Sequence, residues 1–175
     1  VNAAQGDGMT ALHWAAEHGA LDIAQMLIYA GGSVEAVTRI GAYTPLHLAS
    51  KAGNASMIRA LIDAGSDPAQ GTASAGATPL HFAAASGNAE AISSLLDYGV
   101  EVDARETKAG QTPLIFAASI GRIEAINALV EGGADLAGQM HREGLVDRYV
   151  IYISPSIMGG DDGKPLLSGD GVATM

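Results

Sequence analysis

The residues best suited to chemistry are histidines, and three of the five, His13, His47 and His81, recur at intervals of 34. Imidazoles ligate metal ions or move protons near neutral pH. A shared ion needs its ligands within a few ångströms, whereas successive helical units stack about 10 Å apart. The three rings therefore cannot hold one ion, and no metal site is expected. The carboxylates are scattered and lack a partner base at any recurring position. Gly163-Lys164 is followed by Pro165, not Ser or Thr, so no phosphate-binding loop is present, and nothing matches a nucleophile elbow. The absence of cysteine excludes disulfides, zinc ribbons and thiol catalysis.

The spacing itself is more telling than the imidazoles. Thr10, Thr44, Thr78 and Thr112 keep it, as do Leu12, Leu46, Leu80 and Leu114. Ala15, Ala49, Ala83 and Ala117 form another column, and Gly19, Gly53, Gly87, Gly121 and Gly31, Gly65, Gly99, Gly133 two more. A fixed period of this size marks a solenoid. In residues 42–66, Thr44 serves as a helix N-cap and Pro45 fits the first helical position. Leu46, Ala49 and Ser50 give a short helix with a small-residue face, and Gly53 ends it in the left-handed region. Asn54 caps a second helix whose Ile58, Leu61 and Ile62 share one face. Ala24, Leu27 and Ile28, then Ile92, Leu95 and Leu96, then Ile126, Leu129 and Val130 repeat that face. After Gly65, turn formers such as Asp67-Pro68 and Gly71 predict a projecting hairpin or loop. One such unit cannot bury its apolar face; stacked units can.

Thr-Pro-Leu-His at 44–47 and 78–81, with Thr-Ala-Leu-His at 10–13 and Thr-Pro-Leu-Ile at 112–115, resembles the ankyrin repeat. The resemblance covers residues 1–137. It implies a mainly α solenoid of four helix-turn-helix-hairpin units, at about 6–37, 38–71, 72–105 and 106–137. The period of 34 exceeds the family's usual 33, and the extra residue falls between Ala36 and Ala42 and between Ala104 and Gly110. The resemblance implies that each histidine bonds its threonine and nearby backbone, a brace that Ile115 lacks. Trp14, in the column of Leu48, Phe82 and Phe116, is expected to pack inside. Such arrays bind proteins through hairpin tips and the exposed face of the first helix. Position by position, that nominates Met9, Glu17, His18, Arg39, Ile40, Tyr43, Lys51, Thr107, Lys108, Gln111 and Ile120, with Arg39, Ile40 and Tyr43 as the most contact-like cluster.

A net charge of −10 disfavours nucleic acid and is easier to reconcile with a basic or mixed protein surface. No apolar run is long enough for a membrane span, and with no export leader visible the expected compartment is cytoplasmic. Val1-Asn2-Ala3 reads as the end of a preceding repeat, which suggests a piece of something longer. Open array ends would expose apolar faces and favour self-association.

After Ala137 the period stops. Residues 134–143 suggest a helix, 145–153 a strand and 159–165 a loop, with 159–175 mobile and the apolar run 149–153 prone to aggregate. Glu131-Gly132-Gly133, Glu143-Gly144-Leu145-Val146-Asp147, Tyr152-Ile153-Ser154-Pro155 and Met158-Gly159-Gly160 resemble the end of the reductase domain of the bifunctional deaminase–reductase of riboflavin biosynthesis. That resemblance implies an NADPH-using family in which Glu131, Gly132 and Gly133 would lie beside cofactor and substrate. Residues 138–175 alone lack nearly all the strands such a site needs, so the expectation is an inactive fragment with no cofactor. The two resemblances overlap in residues 129–136, where a chimera of two gene fragments would join.

Overall fold

The computed structural model describes residues 1–133. Eight helices follow one another in pairs: α1 (Ala11–His18) with α2 (Leu21–Tyr29), α3 (Pro45–Lys51) with α4 (Ala55–Asp63), α5 (Pro79–Ser86) with α6 (Ala89–Asp97), and α7 (Pro113–Ile120) with α8 (Ile123–Glu131). The first helices pack in the order α1, α3, α5, α7 and the second helices in the order α2, α4, α6, α8, so two helical layers run the length of the array. Among the described residues no strand forms. The helix, strand and loop expected beyond residue 133 lie outside the described residues.

Local chemistry sets each boundary. Thr10 and Thr44 are extended and accept a hydrogen bond from the backbone N–H of His13 and His47, while Thr112 does the same for Ile115. Proline at the first position of α3, α5 and α7 forgoes an N–H that would have no helical partner. Asn54 and Asn88 cap α4 and α6 by accepting from Met57 N–H and Ala91 N–H. Gly53 follows α3 with φ 68°, and a Cβ there would stand 3.0 Å from the Asn88 Cβ of the next unit. Both its backbone and its neighbour require glycine.

The core is one seam shared by all four units. Leu12, Leu46, Leu80 and Leu114 are buried in the first layer, and Leu61, Leu95 and Leu129 in the second. Ala15, Ala49, Ala83 and Ala117 keep the helices close. At about 1.5–3 kcal/mol per fully buried leucine, contacts between neighbouring units dominate the stability. Of the string claimed by both resemblances, residues 129–133 are described and belong to the fourth unit. Glu131 ends α8, Gly132 caps it, and Gly133 has φ 102°, matching φ 101° at Gly65.

Candidate partner-binding surface

The histidines belong to the scaffold. Thr10 N–H donates to His13 Nδ1 at 3.2 Å, and His13 Nε2 donates to the Tyr43 carbonyl of the next unit at 3.0 Å. His81 repeats this, accepting from Thr78 N–H at 3.1 Å and donating to the Gln111 carbonyl at 3.1 Å. His47 accepts from Thr44 N–H at 3.2 Å, but its buried Nε2 has no partner. Each ring thus closes its own capping box, and two of the three also reach the next unit. Acceptance at Nδ1 fixes the neutral tautomer with hydrogen on Nε2. Burial lowers all three pKa values, that of His47 to about 4, outweighing the opposing pull of nearby carbonyls and, for His13 and His81, of the Asp7 and Glu106 carboxylates. Among the described residues, no three histidines or carboxylates are gathered to hold a metal ion.

The tips form a continuous rim. Each is closed by a backbone hydrogen bond at the same place, Thr38 N–H to the Tyr43 carbonyl at 3.0 Å, Thr72 to Ala77 at 3.0 Å and Glu106 to Gln111 at 2.9 Å, and in the last two Gly76 N–H and Gly110 N–H return to the Thr72 and Glu106 carbonyls at 2.7 and 3.1 Å. Each is also tied to the tip before it. Arg39 N–H donates to the Asp7 carbonyl at 2.8 Å, Ala73 to Gly41 at 3.1 Å and Thr107 to Ala75 at 2.6 Å. The donors are 34 residues apart and so are the acceptors, so the longer tip preserves this register. Inside the turns, the Thr38 hydroxyl accepts from Tyr43 N–H and that of Thr72 from Ala77 N–H. Glu106 takes the same position in the last tip, and its buried carboxylate accepts from Lys108, Ala109 and Gln111 N–H at 2.8, 2.6 and 3.1 Å. Desolvation raises its pKa, but these donors, with a small contribution from His81, outweigh that and hold it below the usual carboxylate range.

The nominated residues divide by position. Arg39, Ile40, Thr107 and Lys108 are exposed on the rim, and Ile40 is 82% exposed. His18, Lys51 and Ile120 are exposed at the ends of first helices, where Glu17 is half-buried. Met9 packs against the core. Gln111 is half-buried, with its carbonyl engaged by His81. Tyr43 is half-buried, its ring edge-on to Phe82 with centroids 5.6 Å apart. Arg39 and Ile40 remain exposed together at the second tip, while the Tyr43 ring turns toward the core.

Trp14 departs from expectation. It is 42% exposed and lies against the His18 ring, centroids 5.6 Å apart. Phe82 and Phe116, in its column, lean on His47 and His81 of the unit before at 5.5 and 5.0 Å. Trp14 is the first of the column and has no described unit ahead of it. The spacing of residue types carries no signal for the tip-to-tip backbone bonds, because backbone groups of any residue make them.

Charge is mixed in the tips and acidic behind them: Arg39, Arg105 and Lys108 share the tips with Asp7 and Glu106, and Lys51 ends α3, whereas Asp22, Asp63, Glu90, Asp97, Glu124 and Glu131 lie on second helices. Arg59 is the cation of that second layer, and it bridges α4 to α6 through Glu90 at 2.9 Å. The rim is thus mixed in sign and closer to neutral than an overall charge of −10 suggests.

A family profile described as ankyrin repeats (3 copies) matches residues 1–72 and 46–139. A second, described as the RibD C-terminal domain, matches residues 121–175. No curated protein matches the chain.

Proposed function

The chain belongs to the ankyrin-repeat family, and from that premise we propose that it is a non-catalytic module whose rim and first-helix face bind a protein partner. Ankyrin repeats mediate protein–protein interaction, and no helix among the described residues is long and apolar enough to cross a membrane. The observation that carries the proposal is the rim: three tips locked to their predecessors by backbone hydrogen bonds, presenting Arg39, Ile40, Thr107 and Lys108 outward. A surface ordered before binding loses little entropy on binding. The partner it fits carries a mixed-charge face with a small apolar contact for Ile40. Capture from the source organism, repeated with Arg39→Glu and Ile40→Ser together, is the test. We expect retained fold and lost capture, and undiminished capture by the double variant refutes this choice of surface.

The match at residues 121–175 supports a second reading, an NADPH-dependent reductase of riboflavin biosynthesis present here as an inactive C-terminal fragment. Glu131, Gly132 and Gly133, the residues this reading places beside the cofactor, instead close the fourth helix pair. A hydride-transfer site must hold nicotinamide against substrate in one pocket, and these three are exposed at the end of the array. An NADPH titration of the full chain followed by fluorescence tests inactivity: no saturation is expected, and saturable micromolar binding contradicts it. Sequencing one intact clone across residues 120–150 tests the chimera, which a single continuous native gene refutes.

A further inference from the structure

We propose that the Thr38 hydroxyl is a positioning group for the rim: it clasps the second tip in a turn that the next two tips lack, and that turn sets how Arg39 and Ile40 are presented. This rests on the rim as a binding surface and adds the residue that shapes its most exposed contact.

The tips after α4 and α6 share one turn. Each returns an N–H to its own start, from Gly76 to the Thr72 carbonyl and from Gly110 to the Glu106 carbonyl. Each holds one left-handed residue, that same glycine, with φ 64° and 70°. The second tip differs. Ala42 N–H makes no return to the Thr38 carbonyl, and two successive residues are left-handed, Gly41 at φ 86° and Ala42 at φ 52°. Residue 41 is glycine here, whereas Ala75 and Ala109 stand at that position in the next two tips, and a side chain disfavours such a φ. A Cβ on Gly41 would also stand 2.5 Å from Cε2 of the Tyr43 ring.

Glycine permits the turn, and a hydrogen bond selects it. Thr38 Oγ1 donates to the Ile40 carbonyl at 2.9 Å and accepts from Tyr43 N–H at 3.0 Å, so one buried hydroxyl joins both sides of the turn. In the third tip Thr72 Oγ1 accepts the matching bond from Ala77 N–H at 3.2 Å, without a bond to the Ser74 carbonyl. In the fourth, an ionised carboxylate can only accept, and Glu106 takes Lys108 N–H at 2.8 Å. The position that turns its carbonyl inward at Ile40 turns its N–H inward at Lys108. The Ile40 side chain on that residue stands 82% exposed. Bonds between tips are indifferent to this choice, since the Gly41 and Ala75 carbonyls accept alike from Ala73 and Thr107 N–H. The second tip can therefore change its turn without leaving the rim.

Amide exchange and capture on the full chain test this with three variants. Thr38→Val keeps the side-chain shape and loses both bonds, Thr38→Ser keeps both, and Gly41→Ala disfavours the turn by backbone alone. The probe for capture is the species that the parent retains from the source organism and the Arg39→Glu, Ile40→Ser double variant does not. In the parent, Ala42 N–H should exchange about tenfold or more faster than Gly76 and Gly110 N–H, as an amide without a partner beside two that have one. Thr38→Val and Gly41→Ala should slow Ala42 to the level of those glycines and lose most of the capture, while Thr38→Ser matches the parent in both. An Ala42 amide already protected in the parent, or still fast in either converting variant, overturns the clasp. Conversion with undiminished capture overturns its role in presentation and leaves the rim reading standing. If the double variant still captures all that the parent does, the rim reading itself fails and the positioning role falls with it.

Discussion

Acidification should weaken the array well before its carboxylates protonate, and His47 sets the size of the effect. Its folded pKa is lowered from 6.5 to about 4, first by burial; the Thr44 N–H aimed at Nδ1 also leaves no room for a second ring proton. Above pH 6.5 the ring is neutral in both states and stability is complete. Below that, the unfolded chain takes up the proton first and gains free energy over the folded one. The loss reaches about 2 kcal/mol at pH 5 and about 3 kcal/mol once the folded ring also protonates near pH 4. His13 and His81 are lowered too and act in the same direction. Against a total stability of roughly 5–15 kcal/mol, this is large. Urea unfolding followed by circular dichroism at pH 7 and pH 5 measures it, with His47→Gln as the comparison. The variant should be less stable at pH 7 but show a pH dependence smaller by about 2 kcal/mol. Equal pH dependence in the two proteins would refute the assignment of His47 as a buried, neutral brace.

Three further substitutions test the scaffold. Ala42 has φ 52° in a column otherwise filled by Gly8, Gly76 and Gly110; relief of about 1–2 kcal/mol of left-handed strain, less about 0.5–1 kcal/mol for glycine's freedom in the unfolded chain, predicts that Ala42→Gly raises the urea midpoint. Gly53→Ala should cost at least about 1–2 kcal/mol, because φ is 68° and the Asn88 Cβ stands 3.0 Å away; a melting temperature equal to the parent's would contradict this. Glu106→Gln should lower stability by about 1–2 kcal/mol at pH 7 through weakened charge-assisted bonds. The Glu106 pKa is lowered on folding, so its contribution is complete above the unfolded value and fades as pH falls through the folded one. The stability gap between the parent chain and this variant should therefore narrow in acid, and a gap independent of pH would count against the three-donor account.

The helices were readable because each boundary has its own chemical mark. Thr44 and Pro45 open α3, Gly53 and Asn54 separate it from α4, and Gly65 follows. Stacking was readable because one column of leucines cannot be buried within its own unit. Position along the array was not readable. A column assigns Trp14 the burial of Phe82, but the first member has no described unit ahead of it, and 42% of it stays exposed. Tyr43 looked like a contact residue by type, yet the Phe82 ring beside it draws it half inside. Glu106 looked like one more surface carboxylate. Only the fold shows it in the place of Thr38 and Thr72, accepting from three amides. The left-handed Ala42 was visible in principle, since its column is glycine elsewhere. The rim bonds were not visible at all, because they run from backbone to backbone.

Native-state hydrogen exchange at the amides of Arg39, Ala73 and Thr107 tests the rigid rim most directly. If the tips are locked in series, all three exchange slowly, with protection approaching that of the core helices and falling together when the array is destabilised. Exchange at the rate of free loops would mean that the tips move independently, and a preformed binding rim could not be sustained.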